Sequence, residues 1–101
     1  QKAHELDPLS QQLIDDVIWG SYALGEYETC VELSYKIRKI RPNTWVLKIA
    51  SLGALARLKD RDEEISQFVK SHGKDELSVQ LGKLNFNSEV IGKATRNYVL
   101  N

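Results

Sequence analysis

The sequence predicts an all-α fold of antiparallel helix-turn-helix repeats, and three observations carry that expectation. Apolar residues recur at three- and four-residue steps along most of the chain, whereas no useful length alternates with period two. The two prolines, Pro8 and Pro42, stand 34 residues apart, a spacing that calls for a repeat test before any other reading. Gly25 and Gly73 fall where one periodic stripe ends and the next begins.

The first stripe, Leu13, Ile14, Val17, Ile18 and Tyr22, predicts a helix from about Ser10 to Leu24 with Ser10 as its N-cap. Gly25 permits the reversal after it. A second stripe of Tyr27, Cys30, Val31, Ser34, Ile37 and Ile40 predicts a helix that stops before Pro42, because proline lacks the amide hydrogen and drives the preceding residue out of the helical region. Ile49, Leu52, Gly53, Leu55, Ala56 and Leu58 mark a third helix over about 44–59, capped by Thr44. Lys59–Asp62 is expected as a charged turn, and Ile65, Phe68, Val69 and His72 as a fourth helix closed by Gly73. Leu77, Leu81 and Leu84 suggest a short helix, Asn85–Asn87 a break, and Val90, Ile91, Ala94 and Tyr98 a last helix. An atypical end is expected of a repeat stack, whose last apolar face is otherwise bare.

With 101 residues, 42% of them hydrophobic, the chain fits one domain with a continuous core. Fourteen basic residues balance fourteen acidic ones, so no overall field draws the chain to nucleic acid or to an anionic membrane, and neither is expected as a partner. A single cysteine, Cys30, cannot close an intrachain disulfide; with no apolar run near the roughly 20 residues of a membrane helix, a cytoplasmic setting fits best. The first residues read as the middle of a helix, as expected of a piece of something larger.

Set side by side, Gln1–Pro8 and Tyr35–Pro42 match apolar positions at Ala3/Ile37 and Leu6/Ile40, with Lys2/Lys36 identical. Ile14, Val17, Tyr22, Gly25, Tyr27, Cys30, Ile37 and Pro42 then resemble the spaced pattern of a tetratricopeptide repeat, with Cys30 where that family usually has alanine. A second copy is recognisable with one residue inserted after Pro42, from Ile49, Leu52, Gly53, Ala56 and Ile65. It departs from the pattern: Asp60 and Asp62 replace the turn glycine and aromatic, and the fourth helix has no closing proline. In the first copy Ile18 replaces a usual glycine. The resemblance implies a right-handed superhelix in which residues 1–8 end a preceding repeat, 11–44 form one repeat, 46–73 a degenerate second, and 74–101 a C-terminal helical cap. The tail from Leu84 also resembles the segment C-terminal to the repeats of some bacterial nucleotide-cyclase-like and transcriptional-regulator proteins, which would make the domain a bacterial regulatory or oligomerising unit.

In the tetratricopeptide family a partner peptide lies in the groove lined by the first helix of each pair. Carried over by position, this points to Gln12, Asp15, Asp16, Trp19 and Tyr22, and in the second pair to Leu47, Ala50, Ser51, Ala54, Arg57 and Leu58. Trp19 offers a rigid contact surface, or packs on a neighbouring repeat. Asp15 and Asp16 pair with a basic peptide or simply favour the helix dipole; either way they would repel the C-terminal carboxylate that chaperone-type repeats grip. The third helix could take a partner helix or the chain's own C-terminal segment. Trp45 is expected to wedge one pair against the next. Lys36, Arg38, Lys39, Arg41 and Lys48 are the densest basic cluster and read as a solvated helix surface.

No catalytic constellation, cofactor or metal is expected. Cys30 falls in the slot where two helices approach and should be buried. His4 and His72 lack a metal-binding spacing, Asp60–Glu64 lacks the order of a calcium loop, and no glycine-rich phosphate loop occurs. The expected function is to hold a protein or peptide partner, or a second copy of the chain.

Overall fold

The computed structural model describes residues 8–83 and 89–100, and among them the chain is all-helical. Six helices run in order: α1 (Pro8–Ala23), α2 (Tyr27–Ser34), α3 (Pro42–Ala54), α4 (Leu58–His72), α5 (Lys74–Lys83) and α6 (Glu89–Leu100). Of the expected end of a preceding repeat at 1–8, residues 1–7 lie outside the described residues, as does the Asn85–Asn87 break.

Pro42 begins a helix instead of only closing one, and Pro8 is the first described residue of α1. Pro42 is the first residue of α3, after Arg41 in an extended conformation (φ −73°, ψ 150°). The physical reason is that the first helical amides have no intrahelical acceptor, so the hydrogen proline lacks is not missed there, and its fixed φ already suits the helix. Thr44, expected as the cap, is consequently inside α3, and Ser10 inside α1.

The helix expected to run up to Pro42 stops at Ser34. The Ser34 hydroxyl donates to the Val31 carbonyl at 2.7 Å, and Lys36 N–H bonds back only three residues, to Leu33 at 3.0 Å. Such side-chain and tightened bonds compete with the α-helical ladder. Residues 35–41 therefore form a non-helical connection.

The two hairpin turns share one geometry. In the first, Gly25 N–H bonds to the Tyr22 carbonyl (3.0 Å) and Glu26 N–H to Ser21 (2.8 Å); in the second, Ala56 N–H bonds to Gly53 (3.1 Å) and Arg57 N–H to Leu52 (2.9 Å). This nested pair is the Schellman ending, which needs a left-handed residue. Gly25 has φ +80° and Ala56 φ +60°. The charged run Lys59–Asp62, expected as the turn, lies in the first turns of α4, where the acids face the positive end of the helix dipole.

α3 is the centre of the fold, packed against α1, α2, α4, α5 and α6. Its residues Val46 to Leu52 are all buried. Around it gather Ile18, Tyr22, Cys30, Phe68, Leu77, Leu81 and Val99, so that every helix contributes to one core. The apolar arc of α1 divides: Ile18 and Tyr22 are buried, whereas Leu13 and Val17, expected on the same face, are 59% and 50% exposed. Residues one apart on a helix point about 100° apart, and only one side of the arc meets α2 and α3.

Candidate functional site: the faces of α1

The α1 positions expected to line a peptide groove separate into three groups. Asp15, Trp19 and Thr44 form a network between α1 and α3: the Trp19 indole N–H donates to the Thr44 hydroxyl at 3.2 Å, and that hydroxyl donates in turn to the Asp15 carboxylate. Asp15 and Thr44 are buried, so this polar pair satisfies itself inside the molecule. Tyr22 forms the second group. Its hydroxyl lies 2.6 Å from that of Thr95 on α6. Because the Thr95 hydroxyl donates its own proton to the Ile91 carbonyl at 2.7 Å, Tyr22 is the donor to Thr95. Burial pushes the Tyr22 phenol well above its ordinary value.

Gln12 and Asp16 make the third group, on the surface. The Gln12 amide donates to Asp16 at 3.1 Å and accepts from Arg41 at 3.0 Å. Arg57 is exposed, reaching Glu28 and Asp60, each at 3.4 Å. Ala54 is half-buried. Leu47, Ala50 and Ser51, assigned to the same groove, are each 0% exposed; the α3 part of it is closed.

What closes that side is the C-terminal helix. α6 crosses α3 so closely at Gly53 that a side-chain carbon there would overlap the Tyr98 carbonyl. The buried Arg61 donates to the same carbonyl at 3.1 Å, satisfying one of the acceptors that a helix leaves open at its C-terminal end. Tyr27 stands edge-on to both Tyr22 and Tyr98, at 5.6 and 5.7 Å, and burial first, then Tyr98, pushes its phenol up to about 12. A cleft of about 270 Å³ remains beside these rings, between the α1–α2 turn and Ile91 and Ala94 of α6.

Trp45 packs within its own hairpin and not between hairpins. Its ring meets Phe68 edge-on at 5.2 Å, and its N–H donates to Glu64 at 2.9 Å. Lys48 is likewise no solvated cation: its ammonium sits 3.3 Å from Glu64 and 3.9 Å above the Tyr35 ring. Cys30 is fully buried in the α1–α2 crossing, its thiol donating to the Ile18 carbonyl at 3.4 Å. Burial raises that thiol above its ordinary value.

Sequence reasoning missed the exposed half of α1. Leu13, Val17 and Leu24 are 59%, 50% and 76% exposed, and Gly20 lies between them with nothing near the position of a side-chain carbon. Steps of four and three residues place Leu13, Val17 and Gly20 along one line of α1, and Leu24, the first residue after the helix, continues it with its N–H bonded to the Gly20 carbonyl at 3.2 Å. The spacing is visible in the sequence, but merges there with the buried set.

Among the described residues no cluster of three or more His, Cys, Asp or Glu side chains forms a metal site, and no helix is long and apolar enough to cross a membrane. Compared with protein-family models, with curated proteins and with solved structures, the chain finds no match, so the tetratricopeptide likeness rests on the residues that carry it.

Proposed function

We propose that the chain is a protein-interaction module of tetratricopeptide-like hairpins, and that it associates with a second copy of itself through the outer face of α1. The observation that carries this reading is the stripe Leu13, Val17, Gly20 and Leu24, exposed on a helix whose opposite side is firmly packed. A contiguous apolar line marks an interaction surface, whereas the other exposed large hydrophobics, Tyr35, Leu58, Val79 and Leu100, lie on four separate elements.

Two features favour a second copy as the occupant. The stripe reads the same from both ends: in an antiparallel pair related by a two-fold axis, Leu13 meets Leu24 of the second copy and Val17 meets Gly20. The larger side chain thus faces the place where the smaller residue leaves room, as an isologous contact requires. Charge agrees, because Asp16, the exposed ionisable residue of α1, falls opposite position 21 and not opposite itself. The stripe offers on the order of 300 Å² of apolar surface per copy, small beside the roughly 800 Å² of a standard interface, so the association is weak and concentration-dependent. The peptide-groove alternative is less well supported, since α6 and the buried face of α3 occupy half of that groove.

Light scattering over a concentration series tests the proposal. The mass should rise toward that of a dimer at high concentration, and Val17→Asp should keep it at that of a monomer with the helical circular dichroism unchanged. Val17 is a cleaner target than Trp19, which is tied to Thr44. A wild-type chain that stays monomeric throughout sinks the proposal.

A further inference from the structure

The connection between α2 and α3 carries Lys36, Arg38, Lys39 and Arg41, all exposed. Elsewhere Lys48, Arg57 and Arg61 are each matched to a carboxylate, and the other described cations, Lys59, Lys70, Lys74, Lys83, Lys93 and Arg96, stand dispersed along α4, α5 and α6 and not in one run. Here Arg41 reaches only the neutral Gln12 amide, and Lys36, Arg38 and Lys39 join no ion pair among the described residues. Between the cations stand Ile37 and Ile40, both half-buried. The run therefore alternates charge with aliphatic surface on a backbone that is not helical.

Two clefts open against this connection. One, of about 190 Å³, is lined by Gln11, Asp15, Ile37, Lys39 and Arg41; the other, of about 440 Å³, by Gln11, Arg38 and Lys39. Asp15 is the carboxylate in the first, and it is already engaged by the Thr44 hydroxyl. α3 starts at Pro42, which adds the positive end of its dipole to the same region.

We propose that the α2–α3 connection and the adjoining start of α1 dock an acidic amphipathic peptide, a segment whose carboxylates alternate with apolar side chains. Charge complementarity selects the carboxylates: Arg38 and Lys39, which no carboxylate among the described residues neutralises, line the clefts, Lys36 adds a further exposed charge on the same connection, and such a field steers and orients an anionic segment. Ile37 and Ile40 select the apolar residues between them. A nucleic acid fits less well, because its bases need flat rings to stack upon, and the nearby Tyr35 ring already carries Lys48. An anionic bilayer is a plane, whereas these cations line concave clefts.

This surface is separate from the α1 stripe, so its failure and that of self-association are distinguishable. The experiment is fluorescence anisotropy with a labelled peptide of about 12 residues in which glutamates are interleaved with leucines. A glutamine-for-glutamate version, a labelled single-stranded oligonucleotide and phosphatidylserine-containing vesicles serve as competing probes. The acidic peptide should bind, more weakly as salt rises. Arg38→Glu with Lys39→Glu should weaken it about tenfold or more, Ile37→Ser should weaken it several-fold, and Val17→Asp should leave it unchanged. The exposed charge reversals should preserve the helical circular dichroism. Equal binding of the glutamine peptide, indifference to the charge reversal, tighter binding of the oligonucleotide or the vesicles, or no binding of the acidic peptide would each overturn the proposal.

Discussion

α1 and α3 are the first helices of two hairpins built on the same turn, yet one is packed on a single side and the other on every side. Each has a glycine, and the glycines show the difference. Gly53 is pressed against the Tyr98 carbonyl, whereas Gly20 faces open space. In α3 the missing side chain lets two backbones cross, and the stability of the fold depends on it. In α1 the same absence has no intramolecular use. The local sequence sets the hairpin; the surroundings decide whether a face becomes core or surface.

The largest test of this contrast is a pair of substitutions. Gly53→Val should cost about 3 kcal/mol or more, because the neighbour that must yield is backbone and α6 has to shift. Gly20→Ala should instead stabilise by about 0.5–1 kcal/mol, through helix propensity alone. Urea unfolding measures both; equal effects would mean that α6 does not sit on α3 as described.

Tyr22→Phe asks whether α1 also holds α6. It removes the donor to Thr95 in a buried place while leaving the Thr95 bond to Ile91, so a loss of about 1 kcal/mol is expected. No loss in the same unfolding assay would remove α1 from the contacts that anchor the C-terminal helix.

The turns supply a smaller comparison. Ala56 takes a left-handed conformation that costs a residue with a side chain roughly 1 kcal/mol, so Ala56→Gly should raise stability by about 0.5–1 kcal/mol, and Gly25→Ala should lower it by a similar amount. Opposite shifts in the thermal midpoint are the expected outcome.

The smallest effect appears only in alkali. Tyr27 titrates near 10 when unfolded and is pushed up to about 12 when folded. The folded state therefore favours the neutral phenol. Its contribution to stability is complete below about pH 10 and is lost as pH rises from there toward 12. Tyr27→Phe should flatten that decline, read as the unfolding midpoint against pH beside the tyrosinate absorbance.

Much of this architecture is legible in the chain, and the exceptions have physical causes. Gly25 announces the first turn because a left-handed position favours glycine, and Cys30 announces a close crossing because it is small. Ala56 announces nothing: an alanine in the equivalent turn is held there by the carbonyls of Leu52 and Gly53, not by its own preference. Pro42 reads as a stop when it is a start, since the residue that proline forces out of the helix is the one before it, whichever helix lies on either side. The division of Leu13 and Val17 from Ile18 and Tyr22 is invisible because periodicity reports an apolar arc, not which part of it has a neighbour. The basic residues after Ser34 look like charges dispersed around a helix. Once that helix ends, they gather at one connection. Of the expected groove, position alone could not show that Tyr22 is committed to α6 or that Asp15 and Trp19 are committed to Thr44.

Cys30 is the single sulfur atom in 101 residues, and it sits at the crossing of the first hairpin with no exposed surface. A reagent that needs a thiolate can reach it only when α1 and α2 part, and burial keeps the proton on until they do. The rate at which the native chain consumes such a reagent is therefore a clock for the opening of one hairpin, wound into the protein without any label, and it can be read whether or not either outer face is occupied.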